Sequence, residues 1–183
     1  MLFRSQTIME QKTTSVWKSS LMSGVYLGIA LILVSVVFYV TGNTFAKPAQ
    51  WVGYAVMVAG IVLAQIGYKK VLGGTMTYGQ ALGVGVITML FASIISSIYT
   101  YLLFEVIDPS LQEQMRLFTE EQIIKQGNVP EEQMEVAVNM AAKFQTPIMM
   151  LVMGIFGGTF IGLIISLITS IFTKKNPTED VVE

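Results

Sequence analysis

The sequence predicts an all-α integral membrane protein, a four-helix bundle with an extracytoplasmic helical hairpin between spans three and four. Three observations carry this. Apolar residues make up 53% of the 183-residue chain and charged residues only 13%, where a soluble domain carries about 25% charged. Four apolar runs approach or reach the roughly 20 residues a helix needs to cross the hydrocarbon core. Between the third and fourth runs lies one long aqueous segment, residues 107–147, with seven acidic residues against three basic ones, a net charge of −4.

The expected spans are Leu21 to Val40, Trp51 to Tyr68, Ala81 to Val106 and Ile148 to Phe172, and their only charged residue is Glu105. Trp17, Phe38, Tyr39, Trp51, Tyr54, Tyr68, Tyr78, Tyr99, Tyr101 and Phe104 gather near their ends, as interfacial aromatic belts do. The runs are continuous rather than alternating, which excludes a membrane barrel. The first run is longer than a signal-peptide core of about 7–15 residues, so it is expected to stay as an anchor. Met9-Glu10-Gln11-Lys12 reads like a start, with residues 1–8 as an upstream extension.

Basic residues set the expected orientation. Arg4, Lys12, Lys18, Lys69, Lys70, Lys174 and Lys175 cluster on one side, and Lys47, Arg116, Lys125 and Lys143 are spread thinly on the other. Both termini are therefore expected in the cytoplasm and the hairpin outside it.

Within residues 108–146 two helices are legible. Asp108 caps the first, with Pro109 at the first helical position, and Gly127 with Asn128 ends it. Pro130 opens the second, with Glu131 and Glu132 at the positive end of its dipole. Thr119 and Gln122 also fit a capping box that would split the first helix, and one helix is the preferred reading. Met134, Ala137, Val138, Ala141 and Phe144 form a helical stripe on the second, and Met115 and Phe118 lie on a face of the first. Such a pair either packs on itself and the membrane surface or offers an adaptable docking platform. Met115, Phe118, Met134, Val138 and Phe144 are the candidate docking residues.

The most regular pattern is on the fourth span, where Gly154, Gly158, Gly162, Ser166 and Ser170 recur every four residues. Gly24 and Gly28 repeat the spacing on the first. Small residues at this interval let helix backbones approach closely. The expected partner is the chain's own bundle, and a homodimer or a foreign membrane-protein helix is the alternative.

The chain has no Cys and no His, which removes disulfides, thiol chemistry, imidazole catalysis and the usual haem and zinc ligands. There is no P-loop, no G-x-S-x-G elbow and no EF-hand spacing. No catalytic residue, cofactor or metal site is expected, and the chain is not read as an enzyme. A net charge of −1 gives no case for nucleic acid. Gln65 and the hydroxyl set Ser93, Ser96, Ser97 and Thr100 are the polar groups at membrane depth. Such groups usually bond neighbouring helices, but they also motivate a small transporter or oligomeric pore as the alternative to a non-enzymatic scaffold or accessory subunit.

Several stretches carry a family resemblance. Tyr78-Gly79-Gln80-Ala81-Leu82-Gly83 enters the third span, and Ser93-Ile94-Ile95-Ser96-Ser97-Ile98-Tyr99-Thr100-Tyr101 followed by Phe104-Glu105 runs through it. Ile107-Asp108-Pro109, a Glu/Gln/Met helical pair, Pro147 and the Gly-rich last span follow. From Lys12 to Lys175 the chain resembles the DUF4199 family, small four-span bacterial inner-membrane proteins of unknown function found mainly in the Bacteroidota. The resemblance implies a bacterial inner membrane and a periplasmic hairpin, and it brings no site residues. Family genes often lie near a polyprenyl-phosphate glycosyltransferase, which implies an accessory or anchoring role beside such an enzyme.

Overall fold

Six helices follow one another in a computed structural model that describes residues 2–127 and 130–175. They are α1 (Leu2–Val40), α2 (Lys47–Val71), α3 (Tyr78–Leu102), α4 (Ser110–Gln126), α5 (Glu131–Phe144) and α6 (Pro147–Thr173). Four stretches are long and apolar enough to cross a membrane: Trp17–Val40, Lys47–Val71, Tyr78–Ile107 and Pro147–Thr173. Each exceeds its hydropathic core because polar residues can still close helical turns at the ends. Pro48 and Pro147 sit in the first turns of α2 and α6, where a missing N–H costs nothing. Thr77 and Gln80 start α3 with a reciprocal capping box, a Thr-x-x-Gln signature that was readable in the sequence.

The outer surface is apolar, and several polar side chains lie inside. Ser20, Gln65, Thr88, Ser93, Ser166 and Ser170 are buried, while Phe156, Phe160 and Phe172 on α6 are exposed. An apolar outer surface around an interior that mixes these polar groups with apolar clusters suits a hydrocarbon solvent, where helices associate through close contact and hydrogen bonds. The four long helices thus form a multi-pass membrane bundle.

α3 is the central helix, flanked by α1 and α6. It runs parallel to α1, and Gly24 and Gly28 of α1 meet Phe91 and Ile95 of α3. A methyl group at Gly24 would stand 2.6 Å from Phe91 Cβ and 2.8 Å from the Thr88 carbonyl, so the two backbones touch only because the Cβ is missing. Two of the aromatic residues expected at the interface are instead core. Tyr68 and Phe104 are buried, while Trp17, Trp51 and Tyr54 remain exposed.

At one end of the bundle the α2–α3 turn, with Gly73 and Gly74 at positive φ, lies beside the end of α6. Met76 and Lys175 exchange two backbone hydrogen bonds of 2.8 and 2.9 Å there. At the opposite end α3 closes in a π-helical turn, Leu103–Ile107, onto which α4 packs. Gln112 Nε2 donates to the Phe104 carbonyl of that turn at 2.9 Å. Asp108 accepts from the Ser110 backbone N–H at 3.2 Å, so it caps α4 as expected, with Pro109 in helical geometry. α4 runs unbroken to Gly127, which takes the left-handed conformation (φ +62°). The capping-box reading at Thr119 is overturned: the Thr119 hydroxyl instead accepts from Nε2 of Gln145, the residue that caps the end of α5, at 2.7 Å. Asn128, the other expected terminator, lies outside the described residues.

Candidate functional site

The seam between α3 and α6 is built by alternating small residues. Gly154, Gly158 and Gly162 of α6 meet Ser97, Ser93 and Met89 of α3, and one step further Ser166 of α6 meets Gly85 of α3. The pairs advance four residues along each helix in opposite directions, the register of antiparallel neighbours. A methyl group at any of these glycines would collide with the opposite side chain. Missing Cβ atoms are therefore what lets the helices approach.

Toward the α2–α3 end this seam becomes a polar junction centred on Gln65, which is fully buried. Its Nε2, with two hydrogens to give, lies within donating distance of the Ala81 carbonyl at 3.1 Å, Ser170 Oγ at 3.2 Å and Ser166 Oγ at 3.3 Å. Its Oε1 accepts from Thr173 Oγ1 at 3.0 Å. Ser166 Oγ also donates to the Leu82 carbonyl at 3.1 Å, and Lys69 Nζ donates to the Thr173 carbonyl at 3.0 Å. One amide thus ties α2, α3 and α6 together. The sequence marks Gln65 as a polar residue at depth but hides its partners, because Ser166, Ser170 and Thr173 lie more than 100 positions away.

Toward the α4–α5 end α2 and α6 part. The space between them is a cavity of about 690 Å³. Gln50, Gly53, Tyr54 and Met57 of α2 form one wall, Met150, Met153, Gly154, Gly157 and Gly158 of α6 the other, and α3 supplies the back from Met89 to Thr100. Phe144 of α5 stands at the rim. Tyr54 is the one titratable side chain among the described residues that line it. The α3 hydroxyls differ in state. Ser96 donates to the Ala92 carbonyl at 2.9 Å and Thr100 to the Ser96 carbonyl at 3.0 Å, the usual return to the helix's own backbone. Ser93 Oγ, in a residue only 3% exposed, has no hydrogen-bond partner among the described residues.

The α4–α5 pair turns most of the candidate docking residues inward. Met115 packs with Leu103, Phe104 and Leu111. Phe118 stacks on Phe45 at 5.6 Å between ring centroids. Val138 is buried and Met134 half-buried. Phe144 alone of the five is exposed. A second face of α5 that the sequence reading passed over, Val136 and Met140, is exposed beside it. The signal was there, since Val136, Met140 and Phe144 repeat every four residues, but the buried stripe next to them is broader and hid it.

The electrostatics of this end are local. The Ser110 hydroxyl and, more weakly, the Tyr39 phenol donate to Asp108 and hold its carboxyl below the ordinary value of 3.8. Arg116 pairs with Glu113 at 2.9 Å and lowers its carboxyl in the same way. Among the described residues no group of three or more acidic, His or Cys side chains is placed to hold a metal ion.

The family model described as a protein of unknown function (DUF4199) matches residues 22–175. The chain belongs to that family. The matched part of this DUF4199 protein takes in the α3–α6 seam, the Gln65 junction and the cavity together. No curated protein and no solved structure matches the chain.

Proposed function

We propose that this protein is a non-enzymatic accessory subunit of a bacterial inner membrane, with its termini in the cytoplasm and the α4–α5 pair on the outer side as a docking platform. The observation that carries the role is the unpartnered face of α5. Val136, Met140 and Phe144 are 59%, 56% and 60% exposed, although the adjoining face already satisfies the helix by packing. Leu117 and Ile124 of α4 are exposed as well. An apolar stripe left over after a helical pair has packed is what a membrane-protein partner would cover. The orientation rests on the excess of Lys and Arg at the α2–α3 end.

The cavity supports the non-enzymatic part of the reading. Its Met, Gly, Ser and Thr lining offers surface for holding a guest and, among the described residues, no paired acid and base for transforming one. It also motivates the alternative of a small transporter or oligomeric pore, but the Gln65 junction and the packed cluster of Ala64, Tyr68, Met76, Ala81 and Val84 lie beyond its floor and favour a blind recess. Anchoring an enzyme that acts on lipid-linked sugars is a finer form of the accessory role.

The test is a photo-crosslinking amino acid at Met140 in intact cells, followed by identification of what it captures. One recurrent membrane-protein partner is expected, with capture lost in Val136→Glu. Capture of lipid alone at Met140 would refute the docking role.

A further inference from the structure

We infer that the polar pocket between the end of α1 and the start of α4 binds a primary alkylammonium group, with Asp108 Oδ2 as its counter-charge. The inference is independent of the accessory role and of the orientation of the chain.

The pocket has a volume of about 390 Å³. Tyr39 and Val40 of α1 form one side, Thr44 and Phe45 of the following turn stand beside them, and Asp108 and Gln114 close it from the α4 side. Asp108 is the one charged side chain among the described residues that line it. The basic residues nearest along the chain, Lys47 and Arg116, are not on its wall, and Arg116 is held by Glu113 at 2.9 Å.

Two helix ends add to that negative charge. α1 ends at Val40, and α3 ends through its π-helical turn at Ile107, the residue before Asp108. A helix C-terminus carries the negative end of its dipole, which a cation stabilises. Neither helix has a basic residue in its last turn. The Val37, Phe38 and Tyr39 carbonyls accept from the N–H groups of Thr41, Asn43 and Gly42, but the Val40 carbonyl has no partner among the described residues. The positive end of α4 is already answered by Asp108 Oδ1, which accepts from the Ser110 N–H at 3.2 Å and from the Ser110 hydroxyl. Among the described residues Oδ2 accepts from the Tyr39 phenol alone, at 3.2 Å, and keeps a lone pair for a guest. These bonds hold the Asp108 carboxyl below its ordinary value, so it is ionised at neutral pH.

The acceptors select the guest. Ca²⁺ gathers about six to eight oxygen ligands, usually with several carboxylates, and this wall offers one. A primary ammonium brings three N–H donors. Asp108 Oδ2 takes one, and two further acceptors share the wall. They are Thr44 Oγ1 and Gln114 Oε1, whose amide nitrogen already donates to Ser110 Oγ at 3.3 Å. The level of the pocket names the source. The apolar stretches of α1 and α3 end at Val40 and Ile107, so the pocket lies where hydrocarbon gives way to headgroups, beside the interfacial Tyr39. An ethanolamine headgroup carries its ammonium at that level, and a small soluble amine shares the chemistry.

The experiment titrates the full chain in mild nonionic detergent with phosphatidylethanolamine and, in parallel, with phosphatidylcholine of the same acyl chains. Bound lipid is counted by native mass spectrometry. Phosphatidylcholine keeps the positive charge and lacks the N–H donors. One phosphatidylethanolamine should bind about fivefold more tightly than phosphatidylcholine, the worth of one net hydrogen bond. Asp108→Asn should erase that preference. Because Asp108 also caps α4, a second variant leaves the cap in place: Gln114→Lys puts a tethered ammonium at the pocket and should erase the preference as well. Glu135→Gln, which removes an exposed carboxylate outside the pocket, should leave it unchanged. Ethylammonium added to the lipid-loaded parent separates the two sources. Displacement at millimolar concentration assigns the site to soluble amines, and retention assigns it to the lipid headgroup. Equal binding of the two lipids by the parent, or a preference that survives both Asp108→Asn and Gln114→Lys, would overturn the inference.

Discussion

The two halves of this bundle use the same small residues for opposite ends. Near the α2–α3 turn, Gly85 and Ser166 bring backbones together and Gln65 stitches three helices into one junction. Near α4 and α5, Gly53 and Gly157 stand on walls that do not meet, and the space between them stays open. The difference teaches that a small residue in a membrane helix licenses proximity without enforcing it. Between α2 and α6 the approach is closed where Gln65 has partners to reach on α6, and in hydrocarbon such a group has few alternatives.

Four perturbations break or sharpen this contrast. The largest effect is expected from Gly158→Leu. Its side chain would collide with Ser93 across the α3–α6 seam and should cost about 3 kcal/mol or more, as overpacking does. Denaturant unfolding in mild detergent reads it. Gly157→Leu, one position away but facing open space, should stay within about 1 kcal/mol of the parent in the same assay. Equal losses at the two positions would mean that the seam and the cavity wall are not distinct.

Gln65→Leu comes next. It replaces the amide with an apolar side chain of similar bulk and leaves Ser166, Ser170 and Thr173 without their shared partner. The expected loss is about 1–2 kcal/mol, the scale of interhelical hydrogen bonds in membranes, with α2 separating from α6 at this end. A variant as stable as the parent would show that the junction adds nothing beyond packing.

The smallest effect belongs to the other end and to acid. Asp108 has its folded pKa lowered below 3.8, mainly by the Ser110 hydroxyl. A lowered carboxyl contributes stability that is complete above its unfolded pKa and lost as pH falls through the folded value. The α4 cap should therefore loosen only below about pH 4, seen as faster amide exchange in the first turn of α4. Asp108→Asn should remove that acid step and leave exchange around Gln65 untouched.

Much of this was legible in sequence. The four spans follow from length nearly free of charge and Gly127 from the need for a left-handed terminator, while the four-residue repeat on α6 suggests close packing without naming α3 as the neighbour. What stayed hidden depends on how helices are placed. The repeat sets Gly154 apart from Gly157 but does not say what either faces, and one meets Ser97 while the other meets nothing. Met115 and Phe118 are apolar on an amphipathic helix, but only the π-turn of α3 and Phe45 decide that they face inward. Val136 and Met140 were masked for the converse reason, because the apolar arc of α5 is wider than its partner α4 covers.

The most direct test of two unlike halves measures the α2–α6 separation at both ends. The chain has no native Cys, so pairs of spin labels can be placed on exposed positions. Trp51 with Phe156 reports on the open half, and Leu63 with Phe172 on the stitched half. In vesicles the account predicts one narrow distance distribution for Leu63–Phe172 that broadens in Gln65→Leu, and a broader one for Trp51–Phe156 that does not respond to that change. Equally narrow distributions at both ends, or a Leu63–Phe172 distance indifferent to the loss of Gln65, would contradict it.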